Sequence, residues 1–228
     1  MTPPTRPPAI LAIGRNYAEH AAEMGGEAPT RPVVFMKNPA AVIGDGEAIR
    51  IPRICAEPAG DDGSAREQVD FEGELAVIIG RDCRDVTEDE ALDFVAGYAV
   101  ANDVSARWWQ KKGSGGQFIR GKSFDTFCPL SAIVPASEVG DPQDLALETK
   151  VSGEVMQSGH TRDMIFPVRT LLAELSRGTT LLAGTVLLTG TPPGVGAGRT
   201  PPRFLRDGDV VEIRIERVGV LRNPVVAE

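Results

Sequence analysis

The chain has 228 residues, a formal net charge of −8, 25 glycines, 18 prolines and three cysteines. That length supports one substantial core, and glycine and proline spread along it favour many turns and short strands over a helical bundle. The negative balance argues against a nucleic-acid surface, and no apolar run approaches the ~18 residues of a membrane span.

Met1 to Pro8 is proline-rich and lacks the charged, then apolar, then small-residue order of a signal peptide. A flexible segment over 1–8 and a single domain over 9–228 are expected. Ala9 to Ile13 reads as a strand leading into Gly14-Arg15-Asn16. Asn16 with Glu19 forms a capping box for a helix from Tyr17 to about Met24, stopped by Gly25-Gly26. On it His20 and Glu23 share a face. A carboxylate beside an imidazole orients the ring and raises its basicity, as a general base requires; a surface ion pair is the plainer alternative. Val33 to Lys37 and Ala48 to Pro52 read as strands, with a turn at Asn38-Pro39. Arg53 to Gln68 has the composition of an exposed loop, long enough to move over a site or to be a tolerated insertion.

Asp70-Phe71-Glu72-Gly73-Glu74 alternates acids with other residues and runs into the apolar stretch Leu75 to Gly80, a strand entering a core. The alternation puts Glu72 and Glu74 on one face. Two carboxylates at the mouth of a buried strand repel each other and lose hydration, so they need a proton or a cation between them. Nothing basic lies nearby in the strand. Oxygen ligands alone suit a hard divalent ion, Mg²⁺ first; two solvated acids on a half-exposed strand are the alternative.

Thr87 with Glu90 is expected to cap a helix from Glu88 to about Val95, broken at Gly97, before a strand Tyr98 to Ala101 ends at Asn102-Asp103. Arg107 to Lys112 reads as a short amphipathic helix, followed by a glycine-rich loop. Lys122 stands alone among apolar and small residues, a setting that aims an ammonium at an anion or simply leaves it at the surface. Leu145 to Val151 and Val155 to Gln157 form a hairpin, and Pro167 opens a helix ending near Gly178. After a strand Thr185 to Thr189, the loop Gly190 to Gly196 can offer N–H groups and a hydroxyl to a carboxylate or phosphate. Asp207-Gly208-Asp209 is expected as a hairpin turn into a strand Val210 to Val218, and Gly219 to Val226 closes the sheet. Cys55, Cys83 and Cys128 share no metal-ligand spacing and are expected as buried or incidental thiols in a reducing, cytoplasmic setting.

The order of these features resembles the fumarylacetoacetate hydrolase family, in particular its small acylpyruvase-like and fumarylpyruvate hydrolase-like members. Gly14-Arg15-Asn16-Tyr17 with His20 and Glu23, Phe35-Met36-Lys37, Asp70 to Gly80, Asn102 to Arg107, Gly121 to Asp125, Asp163 to Phe166, Thr189 to Pro192, Leu205 to Asp209 and Leu221 to Pro224 carry it. The resemblance implies a mostly β (α+β) fold, a mixed β-sandwich roll with a few short helices, usually a homodimer. It implies that Glu72, Glu74 and Asp103 hold Mg²⁺ or Mn²⁺, that His20, Glu23 and Lys122 are catalytic, and that Arg15, Tyr17, Arg107, Gln110, Gly190 and Thr191 meet the substrate.

On this reading the enzyme cleaves the C–C bond of an acylpyruvate-type 2,4-dioxo acid, His20 and Glu23 activating water while Lys122 steadies the oxyanion. The same enolate chemistry serves oxaloacetate decarboxylation, isomerisation of an unsaturated 2-oxo diacid, or keto–enol tautomerisation; a degenerate, non-catalytic member is a further alternative. Departures from the family pattern are the long 53–68 loop, the missing hydroxyl residue after Lys37, His160 in place of an Asn and Ser131 in place of a Gly.

Overall fold

The computed structural model describes residues 6–56 and 67–228, so most of the expected loop over 53–68 and the start of the expected flexible segment lie outside the described residues. In chain order the elements are β1 (Ile10–Gly14), α1 (Ala18–Glu23), β2 (Val33–Lys37), β3 (Val42–Ile43), β4 (Ile49–Ile51), β5 (Val69–Asp70), β6 (Gly73–Ile79) and β7 (Val95–Asn102). There follow β8 (Ser105–Ala106), α2 (Arg107–Gln110), α3 (Phe118–Lys122), β9 (Cys128–Pro129), β10 (Val134–Pro135), α4 (Ala136–Val139), β11 (Ala146–Val151) and β12 (Glu154–His160). The last are α5 (Val168–Ser176), β13 (Val186–Leu188), β14 (Val210–Ile215) and β15 (Gly219–Ala227).

The fold is mostly β, with two mixed sheets packed together. One sheet has the order β10-β7-β6-β13-β1-β2 and the other β12-β11-β14-β15-β4. β1 runs parallel to β13 and β15 parallel to β4. Two short ribbons, β3 with β9 and β5 with β8, tie the edges. β6 lies between β7 and β13 and is buried along its whole length. A strand paired on both sides and covered on both faces reads as the continuous apolar run seen in its sequence. β11 instead alternates, sending Leu147, Thr149 and Val151 inward. It packs against β6, while β14 and β15 pack against β7. Each fully buried Leu, Ile or Val at this seam contributes roughly 1.5–3 kcal/mol.

Gly73 sits at a close approach of the two sheets. A Cβ there would stand 2.2 Å from Thr149 Oγ1 on β11, so only glycine fits between the two neighbouring glutamates.

Local signals and the fold disagree at several places. Asn16 does not cap α1, whose first flanking residue is Tyr17 with no side-chain cap. The Asn16 amide is used over a longer range: it donates to Phe166 O (3.1 Å) and Thr189 O (2.8 Å) and accepts from Phe166 N (2.8 Å). Thr87 does bond Glu90 (Oγ1 to Oε2, 2.7 Å), but the helix expected over 88–95 is only a turn and a 3-10 stretch Ala91–Phe94. Pairing with β6 draws Val95 onward into β7. Gly97 is therefore no helix stop; a Cβ there would lie 2.2 Å from Val134 O of β10. Phe118–Lys122, not expected as an element, forms α3, and Pro167 flanks α5 rather than starting it. The hairpin turn joins β14 to β15 at 216–218, with Arg217 at φ 59°; Asp207 to Asp209 is a turn ahead of β14. The three cysteines are buried, and no helix of the described residues is long and apolar enough to cross a membrane.

Candidate metal centre and active site

Glu72 immediately precedes β6, Glu74 is its second residue, and Asp103 follows β7. The antiparallel register sets Gly73 opposite Asn102. Asn102 accepts from Glu72 N (3.0 Å), and Asp103 N donates to Glu72 O (2.9 Å). Two strand ends braced in this way bring one carboxylate oxygen from each of Glu72, Glu74 and Asp103 within 4.8 Å of one another, all three residues buried.

The strand holds no base, but the fold delivers three. Lys122 of α3 donates to Glu72 Oε2 (2.7 Å) and to Asp103. Arg107 of α2 reaches Glu72 Oε1 (2.6 Å) and Asp70 Oδ2 (2.9 Å), and donates to Gln110 Oε1 (3.1 Å). Lys37, at the buried end of β2, pairs with Asp103 and donates to Val104 O (3.2 Å). Lys37 and Asp70 carry no site role in the sequence reading. The signal for Lys37 is a lone cation ending an otherwise apolar strand; for Asp70 it is the first acid of the alternating stretch.

Burial raises the Glu72 carboxyl, but Lys122 and Arg107 outweigh burial and hold it well below the usual range. Glu74 forms no ion pair among the described residues, and the more distant Lys122 only partly offsets its surroundings. Burial, with repulsion from Asp103 and Glu72, pushes its carboxyl well above the usual value, although Gly190 N donates to it (2.7 Å). Four acids (Asp70, Glu72, Glu74, Asp103) thus face three cations (Lys37, Arg107, Lys122) in a buried cluster. An under-compensated, oxygen-only donor set fits a hard divalent cation such as Mg²⁺ or Mn²⁺.

His20 is buried on α1, its Nδ1 3.3 Å from Glu23 Oε2. Glu23 is fixed from behind by Gly194 N (3.0 and 3.1 Å). The Gly190 to Gly196 loop does present N–H groups to carboxylates, and those carboxylates are the protein's own: Gly190 serves Glu74, Gly194 serves Glu23, and Gly196 serves Asp70 (2.8 Å). Thr191 donates to Gly73 O (2.9 Å) and accepts from Gln157 Nε2 (2.7 Å).

A cavity of about 560 Å³ opens above the acids. Arg15, His20, Glu72, Glu74, Arg107, Gln110, Lys122 and Thr191 line it, with Phe35, Phe118 and Met24 as apolar wall. Asp103 and Glu23 lie behind this lining, and Gly190 reaches it only through Glu74. Tyr17 lines a separate cavity of about 300 Å³, with its hydroxyl buried and without a hydrogen-bond partner among the described residues.

Residues 9–226 match the family model described as fumarylacetoacetate hydrolase, C-terminal. The chain belongs to this family. It is 42% identical over 227 residues to a mitochondrial oxaloacetate tautomerase of Xenopus laevis, covering 99% of this chain and 68% of that one. It is 44% identical over 219 residues to an oxaloacetate tautomerase of Bacillus subtilis, covering 95% and 69%. Among solved structures, a 5-carboxymethyl-2-hydroxymuconate delta-isomerase from Mycobacterium smegmatis superposes with a TM-score of 0.82 at 43% identity, covering 99% of this chain and 81% of that one. A fumarylacetoacetate hydrolase from Exiguobacterium antarcticum gives 0.84 at 44% identity, covering 98% and 76%.

Proposed function

We propose that the chain is a divalent-metal-dependent enzyme that moves a proton between carbon and oxygen of a 2-oxo diacid, an oxaloacetate-type keto–enol tautomerase or a related isomerase. The observation that carries this reading is that His20, tied through Nδ1 to Glu23, lines the same cavity as Glu72, Glu74 and Lys122. The names of the relatives favour these enolising outcomes over the C–C hydrolysis that the sequence reading places first.

A divalent ion on Glu72, Glu74 and Asp103 would supply Lewis-acid polarisation of the substrate's keto oxygen. With Nδ1 held by Glu23, His20 keeps Nε2 for the substrate and transfers the proton between C3 and solvent or oxygen. The Lys122 ammonium stands over the Phe35 ring at 4.9 Å and donates to the oxygen that gains negative charge. Arg107 holds Glu72 in place and orients Gln110 toward the cavity. Net tautomerisation leaves the atoms of the substrate unchanged: one proton leaves the enol oxygen and one arrives at C3.

Hydrolysis of an acylpyruvate is the second reading, favoured by the same His20–Glu23 pair, which can activate water as readily as it can hold a carbon-bound proton. Three assays, each with Mg²⁺ and with chelator, separate the readings: ketonisation of enol-oxaloacetate, decarboxylation of oxaloacetate, and cleavage of an acylpyruvate. Metal-dependent ketonisation is expected to dominate. Cleavage of the acylpyruvate without ketonisation would reverse the order.

A further inference from the structure

Thr191 and Gly190 are the residues that the family resemblance offers to a substrate carboxylate. Gly190 N is already given to Glu74, and the Thr191 hydroxyl lies between Gly73 O and Gln157. A second carboxylate in the cavity needs other donors. Arg15, on the turn after β1, and Lys111, just past α2, both line this cavity, and both are exposed. Neither side chain is paired with an acid among the described residues.

Arg15 is held at φ 59°, a left-handed conformation uncommon for any residue with a side chain. Its guanidinium lies over Gly26, where a Cβ would stand 3.0 Å from Nη1; the bare glycine leaves room for it. Phe35 and Phe118, edge to face at 5.6 Å, supply an apolar flank suited to a short carbon chain within a cavity that has acids at its base and cations at its mouth.

We propose that Arg15 and Lys111 form a distal anion subsite that takes the second carboxylate of a 2-oxo diacid, so that the cavity selects dianionic over monoanionic 2-oxo acids. A guanidinium matches a carboxylate in a two-point geometry and an ammonium adds a point charge. The inference rests on the enolising reading above.

The test is titration calorimetry on the Mg²⁺-loaded full chain with three ligands: oxalate, 2-oxobutyrate, and 2-oxoglutarate, which is 2-oxobutyrate with a distal carboxylate. The wild type is expected to bind 2-oxoglutarate ~10-fold more tightly than 2-oxobutyrate. R15Q/K111Q should lose the preference, binding 2-oxoglutarate and 2-oxobutyrate within ~2-fold of each other, whereas R15K, which keeps the charge, should retain part of it. No preference in the wild type, or an undiminished preference in the double variant, overturns the subsite alone. Oxalate that fails to bind the wild type in a Mg²⁺-dependent way overturns the enolising reading and the subsite with it.

Discussion

Lys37 and Asp103 form an ion pair in which both side chains are completely withdrawn from solvent. Lys37 ends an edge strand and Asp103 immediately follows β7, 66 residues later, so the pair fastens one margin of the first sheet to the acid cluster at its centre.

Breaking a buried pair leaves the surviving charge without compensation, at a cost of roughly 3–5 kcal/mol. Lys37→Met leaves Asp103 with Lys122 as its remaining cation, so the metal-free protein is expected to lose stability by less than that amount. The loss should be smaller in saturating Mg²⁺ or Mn²⁺, because a bound divalent ion supplies charge that Lys37 no longer does. Urea unfolding with metal and with chelator measures both. Equal losses in the two conditions would remove Asp103 from the metal-binding group.

Glu74 carries the opposite sign. Burial, with Asp103 and Glu72, raises its carboxyl in the folded state, so folded protein holds that proton more firmly than the unfolded chain. Below the ordinary value of 4.5 the group is protonated in both states. As pH rises past that value the unfolded chain ionises first, and the metal-free protein loses stability until the folded value is passed. Glu74→Gln removes this loss. Metal-free E74Q should therefore gain on wild type as pH rises past 4.5, while its metal-induced rise in Tm disappears. A wild-type-minus-variant difference that stays flat with pH would refute the assignment.

His20 and Glu23 should affect turnover and leave the metal alone. His20→Asn is expected to lower kcat by ~10²–10⁴. Glu23→Gln keeps an oxygen for Gly194 N but withdraws the charge, so its loss should be smaller. In both variants the stabilisation by Mg²⁺ should persist. If it vanishes, the pair belongs to the scaffold of the metal and not to proton transfer.

Much of this arrangement is legible in the sequence, for identifiable reasons. Glu72 and Glu74 stand out because strand alternation is a two-residue pattern that a single stretch displays. His20 and Glu23 stand out because helical spacing is equally local. Lys37, Arg107 and Lys122 are harder to read. Their partners lie far away in sequence, 50 residues in the case of Lys122 and Glu72, and no local pattern encodes that convergence. Asn16 shows the same competition from the other side: its residue type suits a helix cap, but the carbonyls of Thr189 and Phe166 and the N–H of Phe166 claimed its amide. The Gly190 to Gly196 loop has the chemistry expected of it, with internal carboxylates as recipients. At 88–95 a good capping signal lost to the pairing of β7 along β6, as tertiary contacts override local propensity.

Gly73 separates the two glutamates and leaves no room for a methyl group beneath Thr149. The acid cluster is therefore seated on the far layer of the protein as much as on its own strand. A designer who wished to graft Glu72, Glu74 and Asp103 onto a smaller scaffold would have to transplant β11 as well, for without that backing nothing sets the depth at which the three oxygens meet.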